Sequence, residues 1–303
     1  MKKYIKIMRI DHWIKQLFIL PGFICALFLG KFEFTFSVFK DLLIGLFAVS
    51  LIASANYVIN EYLDIEFDKY HPIKKNRPLV KEKVDGRIVW LLWFVLSAIG
   101  LSIGYFALGM NSFITEAVLL VMGILYNVKP IRTKDIVILD VVSESFNNAI
   151  RFMLGWFILP ITRVVPISII FGYWMGGAFL MAIKRYAEYL MIDDKKTASL
   201  YRKSFKYYDD KILLTTAFFY AMSSTFCIGV FLIKYKIELL FLLPFVFGLF
   251  CYYLLISFKE DSAVQKPEKL YKENGLILYC ILLVILFIVL INIRVPWLDI
   301  FLD

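Results

Sequence analysis

Nine stretches of the chain are almost uninterrupted in apolar residues, at about 13–30, 40–62, 87–108, 112–127, 136–158, 166–190, 212–233, 238–257 and 275–293. Most are near the roughly twenty residues that an α-helix needs to cross a hydrocarbon core of about 30 Å. Helices also satisfy their own backbone hydrogen bonds, as lipid requires. The pattern predicts an all-α integral membrane protein, a bundle of about nine transmembrane helices forming one domain over residues 1–303.

The polar segments between the stretches alternate in charge. Of the 34 lysines and arginines, 27 fall in segments 1–15, 64–87, 127–135, 184–211 and 258–275. Six fall in the intervening segments, and Arg151 lies within a span. Cytoplasmic loops collect Lys and Arg, so the bias predicts a cytoplasmic N-terminus and places the long polar loops on the cytoplasmic side of the cell membrane. The basic start, Met1 to Arg9, runs into the first apolar stretch with no small-residue cleavage site, which reads as a retained span.

Composition adds little to this picture. Hydrophobic residues make up 61% of the chain and the mean hydropathy is +0.74, above the half-apolar norm of soluble domains. The net charge of +9 is explained by the loop bias, with membrane lipids and no nucleic acid as the expected partner. Cys25, Cys227, Cys251 and Cys280 all lie in apolar stretches and form neither a zinc pattern nor a disulfide framework.

Three groups of polar residues carry candidate chemistry. At the end of the second stretch, Asn56, Asn60, Asp64 and Asp68 recur every four residues. On a helix that spacing sets them on one face. Hard oxygen ligands of this kind suit Mg²⁺, which takes one or two carboxylates together with substrate phosphate oxygens. His71, Lys74, Lys75 and Arg77 follow as donors suited to a diphosphate. The bland alternative is a charged helix end at the interface, but amides continuing into an apolar span are costly and usually serve a purpose.

The sixth stretch ends in Lys184, Arg185 and Glu188, with Lys184 and Glu188 four apart. Two cations can hold phosphate oxygens while the carboxylate orients a cation or a hydroxyl; snorkelling at a helix end is the ordinary alternative. The fifth stretch carries Asp140, Glu144, Asn147 and Arg151 on one helical face. Arg151 is deep in the span, where Glu144 is a candidate partner through Asn147 or Asn148. Lys129, Arg132 and Lys134 read as a basic loop meeting lipid phosphate. Arg202, Lys203 and Lys206 read as a solvated charged face.

Asn60-Glu61-x-x-Asp64-x-x-x-Asp68, followed by His71-Pro72-x-Lys74-x-x-Arg77-Pro78, resembles the first aspartate-rich motif of the UbiA prenyltransferase superfamily. Glu61 stands where that motif usually has Asp. The resemblance implies diphosphate binding through Mg²⁺ at Asp64, Asp68 and Asn60, with Glu61 on the substrate. Most members that use a prenyl diphosphate have a second aspartate-rich motif. Here Lys184-Arg185-Tyr186-Ala187-Glu188 is instead similar to the branch typified by decaprenyl-phosphate phosphoribosyltransferase, as is Arg9-x-x-x-Trp13-x-Lys15-Gln16.

That branch implies a soluble sugar diphosphate as donor and a polyprenyl monophosphate as acceptor. It casts Asp64, Asp68, Lys184, Arg185 and Glu188 as catalytic. Lys15, Lys74, Arg77, Lys134, Asp140 and Arg151 are then expected on substrate, and the polar stripe of the fifth stretch adds Glu144 and Asn147. Glu144, Asn147 and Asn148 depart from the smaller, more apolar segment of the branch. Two other readings stand beside this one. A prenyltransferase would move the polyprenyl chain from its diphosphate to an aromatic or other small acceptor. A transporter or lipid-binding protein would bind at mid-membrane and is disfavoured by the lack of a clear internal repeat.

Overall fold

A computed structural model describes residues 2–82, 84–192, 194–259, 264, 270 and 273–301. Among these, helices are the only regular secondary structure. Eight are long and apolar enough to cross a membrane by length and composition. Each of the nine expected stretches is helical. The helix over Leu139–Phe157 falls outside the eight because its polar stripe lowers its hydropathy. The expected basic segment at 258–275 lies mostly outside the described residues.

The chain divides into two compact units. The first comprises residues 1–165 and 192–208. It begins with α1 (Lys2–Ile7), a 3₁₀ helix over Ile10–Ile19, and α2 (Leu20–Leu29). α3 (Phe36–Leu63) starts at a Thr35 cap whose hydroxyl accepts from Val38 N–H. Its 28 residues extend about 42 Å, longer than a hydrocarbon core, so its polar end can leave the apolar layer. The helix breaks at Asp64 (φ −100°, ψ 0°) and resumes as α4 (Ile65–Asp68). The run expected to be one straight stripe therefore bends between its two aspartates.

α5 (Pro78–Lys81) follows the polar loop, then α6 (Gly86–Ile103), a π-helical turn over Gly104–Leu108, and α7 (Met110–Asn127). α8 is Leu139–Phe157. α3 packs against α6, α7 and the 3₁₀ helix, and α2 packs against α8. The last pair touches backbone to backbone at two glycines. A Cβ on Gly22 would lie 1.8 Å from the Phe152 carbonyl oxygen, and one on Gly155 would lie 1.9 Å from that of Ile19. Small residues at such crossings are what lets membrane helices approach closely.

The second unit comprises residues 166–191 and 209–303. α9 (Ile167–Met191) pairs along its length with α11 (Asp210–Tyr235), and Ser224 on α11 donates to the Gly172 carbonyl at 2.7 Å. The short α10 (Lys195–Tyr201) belongs to the first unit. α12 (Leu243–Ser257) and α13 (Asn274–Asn292) complete the second. Tyr279 donates to the Phe245 carbonyl at 2.9 Å, and Phe179 packs edge-on against Phe250.

Candidate active site

In the first unit, the polar ends of α3, α7 and α8 and the segment 192–208 gather most of the residues singled out above. Asp64 lies at their centre. Its Oδ1 is 2.6 Å from Lys134 Nζ and 2.7 Å from Arg132 Nη2. Its Oδ2 accepts from Asn60 Nδ2 at 3.3 Å. Asn60 Nδ2 also donates to Asn127 Oδ1 at 2.6 Å, and Lys134 Nζ donates to the same oxygen at 2.7 Å. Asn60, Asp64, Asn127 and Lys134 thus form a closed polar ring joining α3, α7 and the loop before α8. With its amide hydrogens engaged, Asn60 can meet a ligand only through Oδ1.

Burial works to raise the Asp64 pKa, but the charges of Lys134 and Arg132 outweigh it and hold the carboxyl below its usual range. Lys134 is 4% exposed, and its burial pushes the ammonium down to about 8 against the pull of Asp64. Arg132 is buried as well. It donates to the carbonyls of Asn127 at 3.0 Å and Leu63 at 3.5 Å, and it pairs with Asp135 at 3.2 Å. A guanidinium there serves carbonyls that two helix C-termini leave without intrahelical donors. Arg132 and Lys134 are therefore not the lipid-facing loop that their sequence suggests. The burial of Asp64 drew them inward.

Asp68 turns to a different partner. Its Oδ2 is 2.5 Å from Arg77 Nη1, and Arg77 Nε is 3.6 Å from Glu61 Oε1. Burial raises the Asp68 pKa, the nearby charge of Asp64 adds to this, and Arg77 and Lys74 oppose it. Glu61 is 5% exposed, and its Oε2 has no hydrogen-bond partner. His71 Nδ1 accepts from the N–H groups of Ile73 and Lys74 at 3.1 and 3.2 Å, folding the loop and leaving Nε2 as the donor nitrogen of the ring. The loop meets Tyr201, whose ring packs edge-on to His71 and whose hydroxyl accepts from Lys74 Nζ.

The stripe on α8 is shared among three neighbours. Asp140 is fully buried and accepts from Tyr208 Oη at 2.7 Å and Ser204 Oγ at 3.0 Å, with Arg202 Nη1 at 3.6 Å. Glu144 accepts from Tyr126 Oη on α7 at 2.7 Å. Arg151 donates from Nε to Gln16 on the 3₁₀ helix at 2.8 Å and from Nη1 to Asn148 at 3.3 Å. Asn147 Oδ1 is buried with no hydrogen-bond partner. The sequence reads Arg202 as part of a solvated face. It is largely buried, reaches Tyr126 Oη at 3.4 Å, and lies close enough to Asp64 to help lower its pKa. The signal that could have found it is Tyr201-Arg202-x-Ser204, a polar run with aromatic interleaving that ends at Tyr208.

Lys184, Arg185 and Glu188 belong to the second unit. Arg185 and Glu188 are almost completely buried and hydrogen-bonded at 2.9 Å, an i,i+3 contact on α9. Among the described residues no group of three His, Cys, Asp or Glu side chains is arranged as a closed metal site.

The model of the UbiA prenyltransferase family matches residues 18–291. Decaprenyl-phosphate phosphoribosyltransferase of Mycobacterium tuberculosis is 28% identical over 224 residues, covering 73% of this chain and 70% of that protein. Its counterpart from Mycolicibacterium smegmatis is 29% identical over the same length, covering 73% and 66%. The structure of a UbiA homologue from Archaeoglobus fulgidus bound to GPP and Mg²⁺ superposes with a TM-score of 0.70 at 19% identity, over 96% of this chain and all of that one. The helical architecture and the match across most of the chain establish that this integral membrane protein belongs to the UbiA prenyltransferase family.

Proposed function

We propose that the protein is a Mg²⁺-dependent transferase that moves a phosphoribosyl group from 5-phosphoribosyl diphosphate to a polyprenyl phosphate at the cytoplasmic side of the cell membrane. One observation carries the reading: Arg77, Arg132 and Lys134 are all largely buried around Asp64 and Asp68, with Arg202 beside them. Buried cations are expensive unless matched. Here Asp64, Asp68, Glu61, Asp135 and Asp140 match them, and a divalent ion that takes the carboxylates of Asp64 and Asp68 would leave cations for a ligand rich in phosphate. The similarity to relatives named as phosphoribosyltransferases supports the same choice of substrates.

The residues present fit a divalent ion. Glu61 Oε2 is a buried oxygen without a donor, on a side chain that shares Arg77 with Asp68. Asp64 and Asp68 would hold Mg²⁺, with Asn60 through Oδ1 and Glu61 beside them. Bound Mg²⁺ neutralises the charge that develops on a departing diphosphate. Lys74, Arg77 and Lys134 would meet phosphate oxygens, joined by Arg132 and Arg202. In a dry site the loss of one such donor costs on the order of 3 kcal/mol of transition-state stabilisation.

An oxygen of the acceptor phosphate forms the new bond to the ribose anomeric carbon. The bond from that carbon to the diphosphate breaks, and the diphosphate leaves with the electron pair. The acceptor is already ionised, so no strong general base is required. Glu144 and Asn147 are acceptors suited to sugar hydroxyls, and Asp140 holds the segment that bears Arg202. For Lys184 and Arg185 we propose phosphate recognition, and for Glu188 orientation of a hydroxyl.

The test is a transfer assay on purified protein in detergent with Mg²⁺, labelled 5-phosphoribosyl diphosphate and a polyprenyl phosphate. A labelled lipid that disappears in Asp64→Asn supports the reading. No product, in a preparation that binds polyprenyl diphosphate with Mg²⁺, overturns it in favour of ordinary prenyl transfer.

A further inference from the structure

The loop after Asp68 is built of turns that bond to themselves. Lys75 N–H donates to the His71 carbonyl at 3.2 Å, and Arg77 N–H donates to that of Lys74 at 2.9 Å. Such bonds set the shape of a loop and leave its place to side chains. Two side chains of this loop reach one residue, Tyr201, at the end of α10. The His71 ring stands edge-on to the Tyr201 ring, with centroids 4.5 Å apart. Lys74 Nζ donates to Tyr201 Oη and lies 4.7 Å from the ring centroid. The Arg202 guanidinium lies 5.7 Å from the same ring.

Tyr201 is itself held from both sides along the chain. Before it, Asp194 caps α10 by accepting from Thr197 N–H at 2.8 Å. After it, Phe205 is fully buried with its ring 6.1 Å from that of Tyr201. Ser204 and Tyr208 then bond to Asp140 on α8, and Tyr208 Oη accepts from Ile138 N–H at 2.7 Å. A buried tyrosine on an anchored segment thus grips a lysine on a loop. The chemistry of the grip suits a phosphate ligand. A lysine ammonium on its four-carbon stem has many rotamers, and ordering it during binding costs affinity. A phenol oxygen accepts one of its three hydrogens and the ring attracts the cation, and both contacts leave the positive charge whole. Lys74 is also near enough to Asp68 for its charge to act on that carboxyl, which places it beside the aspartates.

We infer that Tyr201 is a positioning residue: its hydroxyl and ring hold Lys74, and its contact with His71 holds the loop, so that the donor's diphosphate meets a cation already in place. The inference rests on the transfer reading, in which Lys74 meets that diphosphate. Tyr201 acts through Lys74 and makes no bond to substrate itself. An ammonium can keep the phenol oxygen and bond a phosphate oxygen at once, so the grip persists in the bound state.

The experiment is a cycle of substitutions in the full-length protein in nanodiscs. Calorimetry measures binding of inorganic diphosphate with Mg²⁺, and the transfer assay gives KM and kcat. Tyr201→Phe keeps the ring and removes the hydroxyl. It is expected to weaken diphosphate binding about fivefold and to raise KM for the donor by a like factor. Its kcat is expected to stay within about twofold of wild type. Lys74→Met is expected to weaken diphosphate about tenfold in the wild-type background and only about twofold in Tyr201→Phe, where the ammonium is no longer held. A general loss of stability would lower affinity without changing what Lys74→Met costs, so the cycle reads positioning even if Tyr201→Phe melts lower. Equal costs of Lys74→Met in the two backgrounds overturn the inference, as does wild-type affinity and KM in Tyr201→Phe. The expected coupling in diphosphate binding, with no phosphoribosyl transfer by the wild type, upholds the role of Tyr201 and sinks the transfer reading alone. No diphosphate binding by the wild type overturns both.

Discussion

The carboxylate of Asp64 and the ammonium of Lys134 meet at 2.6 Å, and Asn127 Oδ1 lies 2.7 Å from the same ammonium. Asp64 is therefore presented to its surroundings by a lysine that is itself held from the opposite side. Neutralising the acid leaves that cation buried without its counter-charge and Arg132 with Asp135 alone. Asp64→Asn is expected to lower kcat by about 100-fold or more, the size of effect that follows loss of one electrostatic stabiliser. Single-turnover assays at saturating Mg²⁺ would measure it. Activity within threefold of wild type would remove Asp64 from the chemistry.

Lys134 also sets a pH limit. Its ammonium, pushed down to about 8 by burial, is charged below that pH and neutral above it. If Lys134 binds phosphate as proposed, the competent form is the one present below about 8, and activity is expected to fall on the alkaline side of it. Lys134→Arg, which stays protonated, should shift that limb upward even if it lowers the maximum rate. A pH–rate profile unchanged by the substitution would assign the limb to another group.

Asp140 fastens the segment 192–208 to α8 through Tyr208, Ser204 and Arg202. Hydrogen bonds to a buried carboxylate contribute about 1.5–3 kcal/mol, so Tyr208→Phe is expected to cost about that in stability. Faster limited proteolysis near residue 200, with a higher KM for the diphosphate substrate, would show that the bond positions Arg202. Unchanged proteolysis and KM would make it a contact of no consequence.

The Arg185–Glu188 pair allows a cycle of substitutions. Breaking a buried pair from one side costs about 3–5 kcal/mol, because the survivor is left unpaired. Arg185→Met should therefore lower the thermal midpoint more than Arg185→Met with Glu188→Leu. If the double variant recovers folding but not transfer, the pair takes part in the reaction. If it recovers both, the pair is structural.

Two glycines offer a contrast in packing. Alanine at Gly155 would put a methyl group 1.9 Å from the Ile19 carbonyl oxygen, a clash with backbone that no rotamer relieves. It is expected to destabilise by about 1–3 kcal/mol or more. At Gly229 the added methyl would meet only Leu243 Cδ1 at 3.5 Å, so Gly229→Ala on α11 should stabilise by about 0.5–1 kcal/mol. Thermal melts in detergent would rank the two, and equal midpoints would contradict the close α2–α8 crossing.

Periodicity and hydropathy alone fixed the helical class, because a chain in lipid has few other ways to satisfy its backbone. The Asn60–Asp68 spacing, the basic loop after it and the polar face of α8 were legible as well, since each depends on residues close in sequence. Partners distant in sequence were not. Nothing in the loop at 129–134 announces that Lys134 and Arg132 fold inward onto Asp64, or that Arg202 comes to lie beside them. Nor does the spacing of Asp64 and Asp68 show the break between them, which sends one carboxylate to Lys134 and the other to Arg77. The sequence by itself determined which segments become helices and which carry charge, a matter of local pattern and of transfer from water to lipid. Only the tertiary structure decided which charge meets which, because burying an ionised group demands a partner and any polar element packed nearby can supply it.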